Sequence, residues 1–303
     1  MKTISIGGMK ASEISLGCMR ISGLEGKDAV ALLECALREG VNFFDHADIY
    51  GGGRSEEMFA QAVADMGLPR ESLLIQSKCG IRNGMFDFSR EHILEAVEGS
   101  LKRLRTDYLD ALLLHRPDTL MEPDEIAEAF QTLQAQGKVR AFGVSNCNPM
   151  QMELIGSGLP QKLLINQLQL SLTNTGMIDS GLNVNMKIDH SIDRDGSILE
   201  YCRLKGVTIQ PWSPFQYGFF EGAFLGSPKF QPLNSRIDEL ASEFGVQPEA
   251  IAIAWLLRHP ARMQPIVGTT NPARLAAICG ASQVTLSREQ WYSLYLAAGN
   301  QLP

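Results

Sequence analysis

Along this chain, short apolar runs alternate with stretches whose apolar residues recur at helical spacing, and the pair repeats from one end to the other. The runs read as strands buried on both faces and the amphipathic stretches as helices packed against them. Eight strands are predicted, at Ser15–Cys18, Asn42–Asp45, Leu73–Lys78, Leu109–His115, Val139–Ser145, Leu164–Gln169, Val207–Trp212 and Pro265–Gly268. The first predicted helix carries Val30, Leu33 and Leu37 on one face and stops at Gly40. The second takes Ser55 as its cap and places Glu56 and Glu57 in the first turn, where the helix dipole favours carboxylates. Its stripe is Phe59, Ala62, Val63 and Met66, and Gly67 ends it. Further helices are expected at Ser89–Arg105, Asp124–Gln136, Pro149–Gly156, Ser197–Lys205 and Pro272–Cys279. Ser235–Phe244 and Pro248–His259 precede the last strand, and Ser287–Ala298 follows it.

Parallel strands need crossover connections, and eight such units without a long structureless gap favour a closed (β/α)8 TIM barrel. A hairpin at Lys2–Gly8 precedes it, and one barrel domain over residues 1–303 is expected. The rival is a doubly wound open sheet. If it bound a dinucleotide, that sheet would carry a G-x-G-x-x-G turn after its first strand, and neither Gly51-Gly52-Gly53 nor Gly7-Gly8 fits.

Composition narrows the partners. The chain has 303 residues, 45% of them hydrophobic, and 27 Lys+Arg against 34 Asp+Glu give a net charge of −7 with no basic block to track a phosphate backbone. Nucleic acid is therefore not expected as a partner. Six cysteines without a C-x-x-C pair read as reduced thiols, which suits a cytoplasmic protein. The opening MKTISIGGMKASEISLG is broken by Lys2, Lys10 and Glu13, unlike a signal peptide, and no membrane association is expected. Nothing in the pattern points to a metal or to an oligomeric state.

In a barrel, catalytic groups sit at the carboxyl ends of strands. Asp45 closes NFFD, Tyr50 follows it in a short loop, Lys78 closes LLIQSK, and His115 closes LDALLLH. Taken singly these would be a helix cap, a packed ring, a solvated amine and a hydrogen-bonded core histidine. Together they make one acid catalyst. A tyrosine with an ordinary pKa of about 10 is a poor acid at neutral pH, and a nearby cation lowers that value. Lys78 would supply the cation, Asp45 would hold Lys78, and His115 would share the substrate oxygen. Near the C-terminus, Asn271 reads as a helix cap with Pro272 at the first helical position. Gly268-Thr269-Thr270 leads in, so free N–H groups and the dipole suit a phosphate.

The pieces LGCMR, FFDHADIYGGGRSEE, IQSKCG, YLDALLLHRPD, GKVRAFGVSN and PWSPF together make the chain resemble the aldo-keto reductase superfamily. The resemblance implies NADPH-dependent (NADH possible) reduction of an aldehyde or ketone to an alcohol. It implies a catalytic tetrad of Asp45, Tyr50, Lys78 and His115. It puts Ser145, Asn146 and Gln167 on the cofactor's carboxamide, Trp212 on the nicotinamide ring, and Ser213 and Phe215 beside the pyrophosphate. Gly268, Thr269, Thr270 and Arg274 fall at the far end, with Arg274 as a 2′-phosphate ligand. Met19, Tyr50, His115 and the polar segment Leu172–Gly196 would wall the small-molecule carbonyl site. Three departures stand out: His46 replaces a common Thr and could add a titrating group behind Asp45. Thr270 replaces a common Lys or Arg, and Ala277-Ile278 replace a Glu-Asn pair near the adenine. Two other readings stay open: a cofactor-binding interaction module, as in the β subunits of potassium channels, and a Schiff-base aldolase using Lys78.

Overall fold

A computed structural model describes residues 1–303. Eight parallel strands form one sheet, at Ser15–Gly17, Phe43–Asp45, Leu74–Cys79, Leu109–Leu114, Val139–Ser145, Leu163–Gln169, Thr208–Trp212 and Ile266–Val267. Each pairs with its neighbours in chain order, and the eighth returns to pair with the first. The seventh and eighth meet through the Gln264 N–H, which donates to the Ile209 carbonyl at 3.0 Å, and this closes the barrel. The eight expected strands are all present, with no end shifted by more than one residue.

The expected hairpin forms from Thr3–Ile6 and Met9–Ser12 and plugs the barrel's lower end. Its Ile6 and Ala11 pack with Phe43, Ala111, Leu113, Ala141 and Ile165 as an inner core separate from the larger one under the helices. The packing there leaves no room for a side chain at Gly143, where a Cβ would lie 2.6 Å from the Ile165 carbonyl oxygen. No helix is long and apolar enough to cross a membrane, and all six cysteines are buried and unpaired.

Local rules gave way to tertiary contacts at two places, and at a third a local signal was overlooked. Ser55 does not cap the second helix: that helix runs Arg54–Asp65 with Gly53 as its cap residue, and the Ser55 hydroxyl donates to the Met19 carbonyl at 3.1 Å. Glu56 is more than a dipole partner, being fully buried between the Ser77 hydroxyl at 2.6 Å and the Arg103 Nε at 2.7 Å. The predicted Ser235–Phe244 helix starts earlier, at Gln231, because Pro232 fits a first turn that has no use for its missing N–H.

His46 is the clearest cost in the fold. Its ring is fully buried against Phe59 (centroids 4.6 Å apart) and neither nitrogen has a hydrogen-bond partner. Burial, with the Lys78 charge second, pushes its pKa down to about 3, so it does not titrate near neutrality as the sequence suggested. The unfolded chain takes up this proton below about 6.5 while the folded chain does not, so stability falls as pH drops from there towards 3. His46→Phe should remove about 1.4 kcal/mol per pH unit from that decline. Urea unfolding at pH 7, 6, 5 and 4 checks it, and parallel curves for the two proteins would show the histidine carries no such penalty.

Candidate active site

The second and third barrel strands lie in register with Asp45 opposite Gln76, which brings Lys78 up beside the Asp45 carboxylate. The Lys78 ammonium is fully buried. It donates to Asp45 Oδ2 at 2.9 Å and to the His46 carbonyl at 2.7 Å, and it lies 2.8 Å from Asp45 Oδ1. Its remaining contact is the Tyr50 hydroxyl, at 3.2 Å. Tyr50 reaches it because Gly51, Gly52 and Gly53 follow in left-handed conformation, with φ of 59°, 63° and 92°. A Cβ on Gly51 would lie 2.6 Å from Ser22 Oγ, and one on Gly53 would lie 2.7 Å from Arg103 Cδ, so this turn needs glycine for both space and backbone. The His115 ring sits edge-on to Tyr50 with centroids 5.9 Å apart.

Burial alone would favour a neutral Lys78, but Asp45 and Tyr50 outweigh it and hold the pKa above its ordinary value. Burial also raises Tyr50, and Lys78 only partly offsets it. The net direction is up, against the acidification expected from the sequence. Burial, then the charges of Lys78 and Arg116, push His115 well below its ordinary value, so the imidazole is neutral.

Below this cluster lies a layer that sequence reasoning missed. Asp45 Oδ1 accepts from Gln76 Nε2 at 2.6 Å and from Gln167 Nε2 at 3.0 Å. Both amides also donate to Gln210 Oε1, at 2.9 and 3.1 Å. Gln210 donates in turn to Gln264 Oε1 at 2.8 Å, and Gln264 donates to the Ser12 carbonyl at 2.7 Å. The direction of every amide is determined, because the chain ends on a carboxylate and on a backbone carbonyl, and both can only accept. Hydropathy gives no sign of this, since three glutamines on separate strands, Gln76, Gln167 and Gln210, and a fourth, Gln264, just before the last strand become neighbours only once the barrel closes.

A cavity of about 700 Å³ opens above. Its walls include Met19, Asp45, Tyr50, His115, Ser145, Asn146, Gln167, Trp212, Ser213, Phe215, Gly268, Thr269, Thr270 and Arg274, so every candidate residue faces it except Lys78, which lies buried beneath. The first polar group of candidates is linked: Trp212 Nε1 donates to Asn146 Oδ1 at 3.0 Å, Asn146 Nδ2 to Ser145 Oγ at 2.8 Å, and Ser145 Oγ to the Gln167 carbonyl at 3.1 Å. Asn146 and Ser213 have φ of 58° and 51°, strain of the kind that clusters at binding sites. At the far end Asn271 caps the helix as expected, accepting from the Arg274 N–H at 3.2 Å. The Asn271 N–H itself is already taken by Thr269 Oγ1 at 3.1 Å. Arg274 lies over Phe215 and 3.5 Å from Glu249.

The segment Leu172–Gly196 does not wall the cavity. It folds into a helix at Gly176–Leu182 whose Asp179 accepts from the Tyr295 hydroxyl at 2.6 Å and from Thr175 Oγ1 at 3.0 Å, so it is tied to the C-terminal helix instead. The wall it was expected to form comes from Phe219 and Phe220, on the loop after the seventh strand, together with Ile49, Ile81 and Arg116. Two adjacent exposed aromatics between glycines were the available signal.

The pattern of the Aldo/keto reductase family matches residues 13–295. The chain is 35% identical to the uncharacterized oxidoreductase YcsN of Bacillus subtilis, over 97% of each chain. It is also 35% identical to a 6-dehydroglucose reductase of Agrobacterium fabrum, over 90% of this chain and 88% of that one. Among solved structures, a thermostable aldo-keto reductase in complex with the inhibitor epalrestat superposes with a TM-score of 0.78 at 28% identity, covering 98% of this chain and 100% of that one.

The amide layer makes a stability prediction of its own. Gln210→Leu would leave one N–H on Gln76, one on Gln167 and the Gln264 oxygen buried without partners. Each such orphan costs about 1–3 kcal/mol, so the variant should lose about 3 kcal/mol or more. An unchanged urea midpoint would mean that the layer is not a connected network.

Proposed function

Because this chain belongs to the aldo/keto reductase family, we propose that it reduces an aldehyde or ketone with NADPH, using Tyr50 as proton donor and Asp45, Lys78 and His115 in support. The observation that carries this reading is the 3.2 Å contact between a buried, Asp45-held ammonium and the one tyrosine in the cavity wall. A reduced nicotinamide supplies the hydride when bound. The cavity suits such a cofactor, since one continuous wall links His115 to the capped helix at Asn271 and Gly268 has open space where a Cβ would be. In this reading Ser145, Asn146 and Gln167 hold the carboxamide, Trp212 the nicotinamide face, and Ser213 and Phe215 the pyrophosphate. Gly268, Thr269, Thr270 and Arg274 take the adenosine end.

The proton follows from the pKa directions. Tyr50 stays protonated through the neutral range because burial raises it, and it is charged with its proton when a carbonyl oxygen arrives. As that proton leaves, Lys78 at hydrogen-bond distance stabilises the phenolate, so the cation acts on the product of the transfer more than on the resting acid. Neutral His115 donates a hydrogen bond to the same oxygen. Asp45 and the two amides behind it keep the ammonium in place. Against a Schiff-base role, Lys78 is held charged and shielded from the cavity, whereas amine nucleophiles must be neutral.

Two outcomes are expected. Tyr50→Phe keeps the ring and removes the hydroxyl, so turnover should fall by roughly 10² to 10⁴ while NADPH titrations overlay those of the parent. Parental turnover in the variant would remove Tyr50 from the mechanism, and a parent that binds NADPH tightly but turns over no carbonyl would favour the interaction module. NADPH should also bind more tightly than NADH, with a modest margin because Glu249 already faces Arg274 and Thr270 adds no charge. Arg274→Ala should weaken NADPH by about tenfold and leave NADH nearly unchanged, as read by fluorescence titration. Equal losses for both would place the arginine elsewhere on the cofactor.

A further inference from the structure

Three arginines line the cavity, Arg20, Arg116 and Arg274, and only Arg274 has a carboxylate at ion-pair distance. Arg20 is exposed at the mouth, where water can serve it. Arg116 is different. It is half-buried, its five donors make no hydrogen bond within the protein, and its one close aromatic neighbour is Trp212, with Cζ 5.8 Å from the ring centroid. Burial pulls its pKa down, and no carboxylate is near to oppose this. Guanidinium groups held this far from solvent are ordinarily paired, because leaving a charge desolvated and unpartnered is costly.

The neighbouring charges offer it nothing. Lys78 and Asp45 cancel each other beneath the cavity floor, and His115 is neutral. The reacting end of the cavity therefore carries an uncompensated positive charge on Arg116. That charge follows His115 directly in the chain, and its field is felt at both His115 and Tyr50. An anionic group on Arg116 would thus leave the rest of a small molecule beside the proton donor. The walls between are apolar: Met19, Ile49, Phe219 and Phe220.

We propose that the substrate is a carbonyl compound that also bears a carboxylate, with Arg116 pairing with the carboxylate while Tyr50 and His115 hold the carbonyl oxygen. The inference rests on the reductase reading of the same site. The planar fork of a guanidinium matches a carboxylate through two parallel N–H···O bonds, which gives orientation as well as affinity. The chemical step is unchanged: the carbonyl carbon gains a hydride from the nicotinamide, its oxygen gains the Tyr50 proton, and the carboxylate passes through unaltered.

Two probes of one shape test it: 4-carboxybenzaldehyde and its methyl ester differ in charge but share ring and aldehyde. The parent should favour the acid in kcat/KM by roughly 10- to 100-fold, mostly through KM, the range expected for a hydrogen-bonded charge. Arg116→Gln should bring that ratio near one, and Arg116→Lys should restore part of it. Calorimetry with 4-(hydroxymethyl)benzoate on the protein with NADPH, a pair that contains no hydride acceptor, reads the same contact without turnover. A parental ratio near one, or an Arg116→Gln variant that slows acid and ester equally, overturns the proposal. So does a fall in NADPH affinity that matches the loss on the acid, which would give Arg116 to the cofactor. If no carbonyl is turned over yet 4-(hydroxymethyl)benzoate binds through Arg116, the reductase reading fails and the carboxylate site stands.

Discussion

The buried ion pair between Lys78 and Asp45 is the constraint on which the rest of the active-site architecture depends. An ammonium removed from water loses several kcal/mol of hydration, and it stays charged only if its surroundings return most of that. Here both Asp45 oxygens, the His46 carbonyl and the Tyr50 hydroxyl surround it. Each partner imposes a demand on the chain. The strands must keep Asp45 opposite Gln76, the backbone must turn so that His46 presents its carbonyl, and the glycine run after Tyr50 must fold tightly enough to bring the phenol back. The His46 ring is left in the core with neither nitrogen bonded, which is a cost of placing its carbonyl where Lys78 needs it.

The carboxylate needs its own support, and the glutamine layer provides it. With donors from Lys78, Gln76 and Gln167, both Asp45 oxygens are tied down by hydrogen bonds, so the carboxylate is held in place against the Lys78 ammonium. The layer is rigid because both hydrogens of the Gln76 and Gln167 amide groups are used, and rotating any one amide would set acceptor against acceptor. Its imperfection is local: Gln76 Oε1 is buried without a partner. Since the last link is the Ser12 carbonyl, the N-terminal hairpin both plugs the barrel and fixes the polarity of a network that ends at the active site.

Much of this was legible in the sequence, for a physical reason. Asp45, Lys78 and His115 each end an apolar run, and in a barrel the run's end is the functional rim, so periodicity alone put them on one face. Tyr50 followed from the residue types that would make it an acid. What escaped reading depended on distant contacts. Ser55 and Glu56 carry the signature of a helix start, and their side chains are claimed instead by Met19, Ser77 and Arg103. Nothing local distinguishes a polar loop that walls a cavity from one tied down through Asp179 to Tyr295. The sign of the Tyr50 shift was misjudged because a neighbouring cation can be read from residue types, whereas the depth of burial that opposes it cannot.

The charge distribution gives these pieces a common logic. A chain with a net charge of −7 repels anions over most of its surface, yet the cavity lining carries three arginines and one carboxylate, and that carboxylate is already neutralised by Lys78. Field lines in a cleft with low-dielectric walls are focused along it, so a cavity of this sign draws anions that the surface at large turns away. Around Arg274 the attraction is tempered by Glu249, and an anion arriving there, such as the cofactor phosphate proposed above, would have to compete with that carboxylate for the guanidinium. At the reacting end nothing competes for Arg116. The two ends would therefore discriminate differently: a ligand on Arg274 would replace an internal partner, which limits the margin, and one on Arg116 would supply a partner where there was none, which makes the ligand's charge matter more.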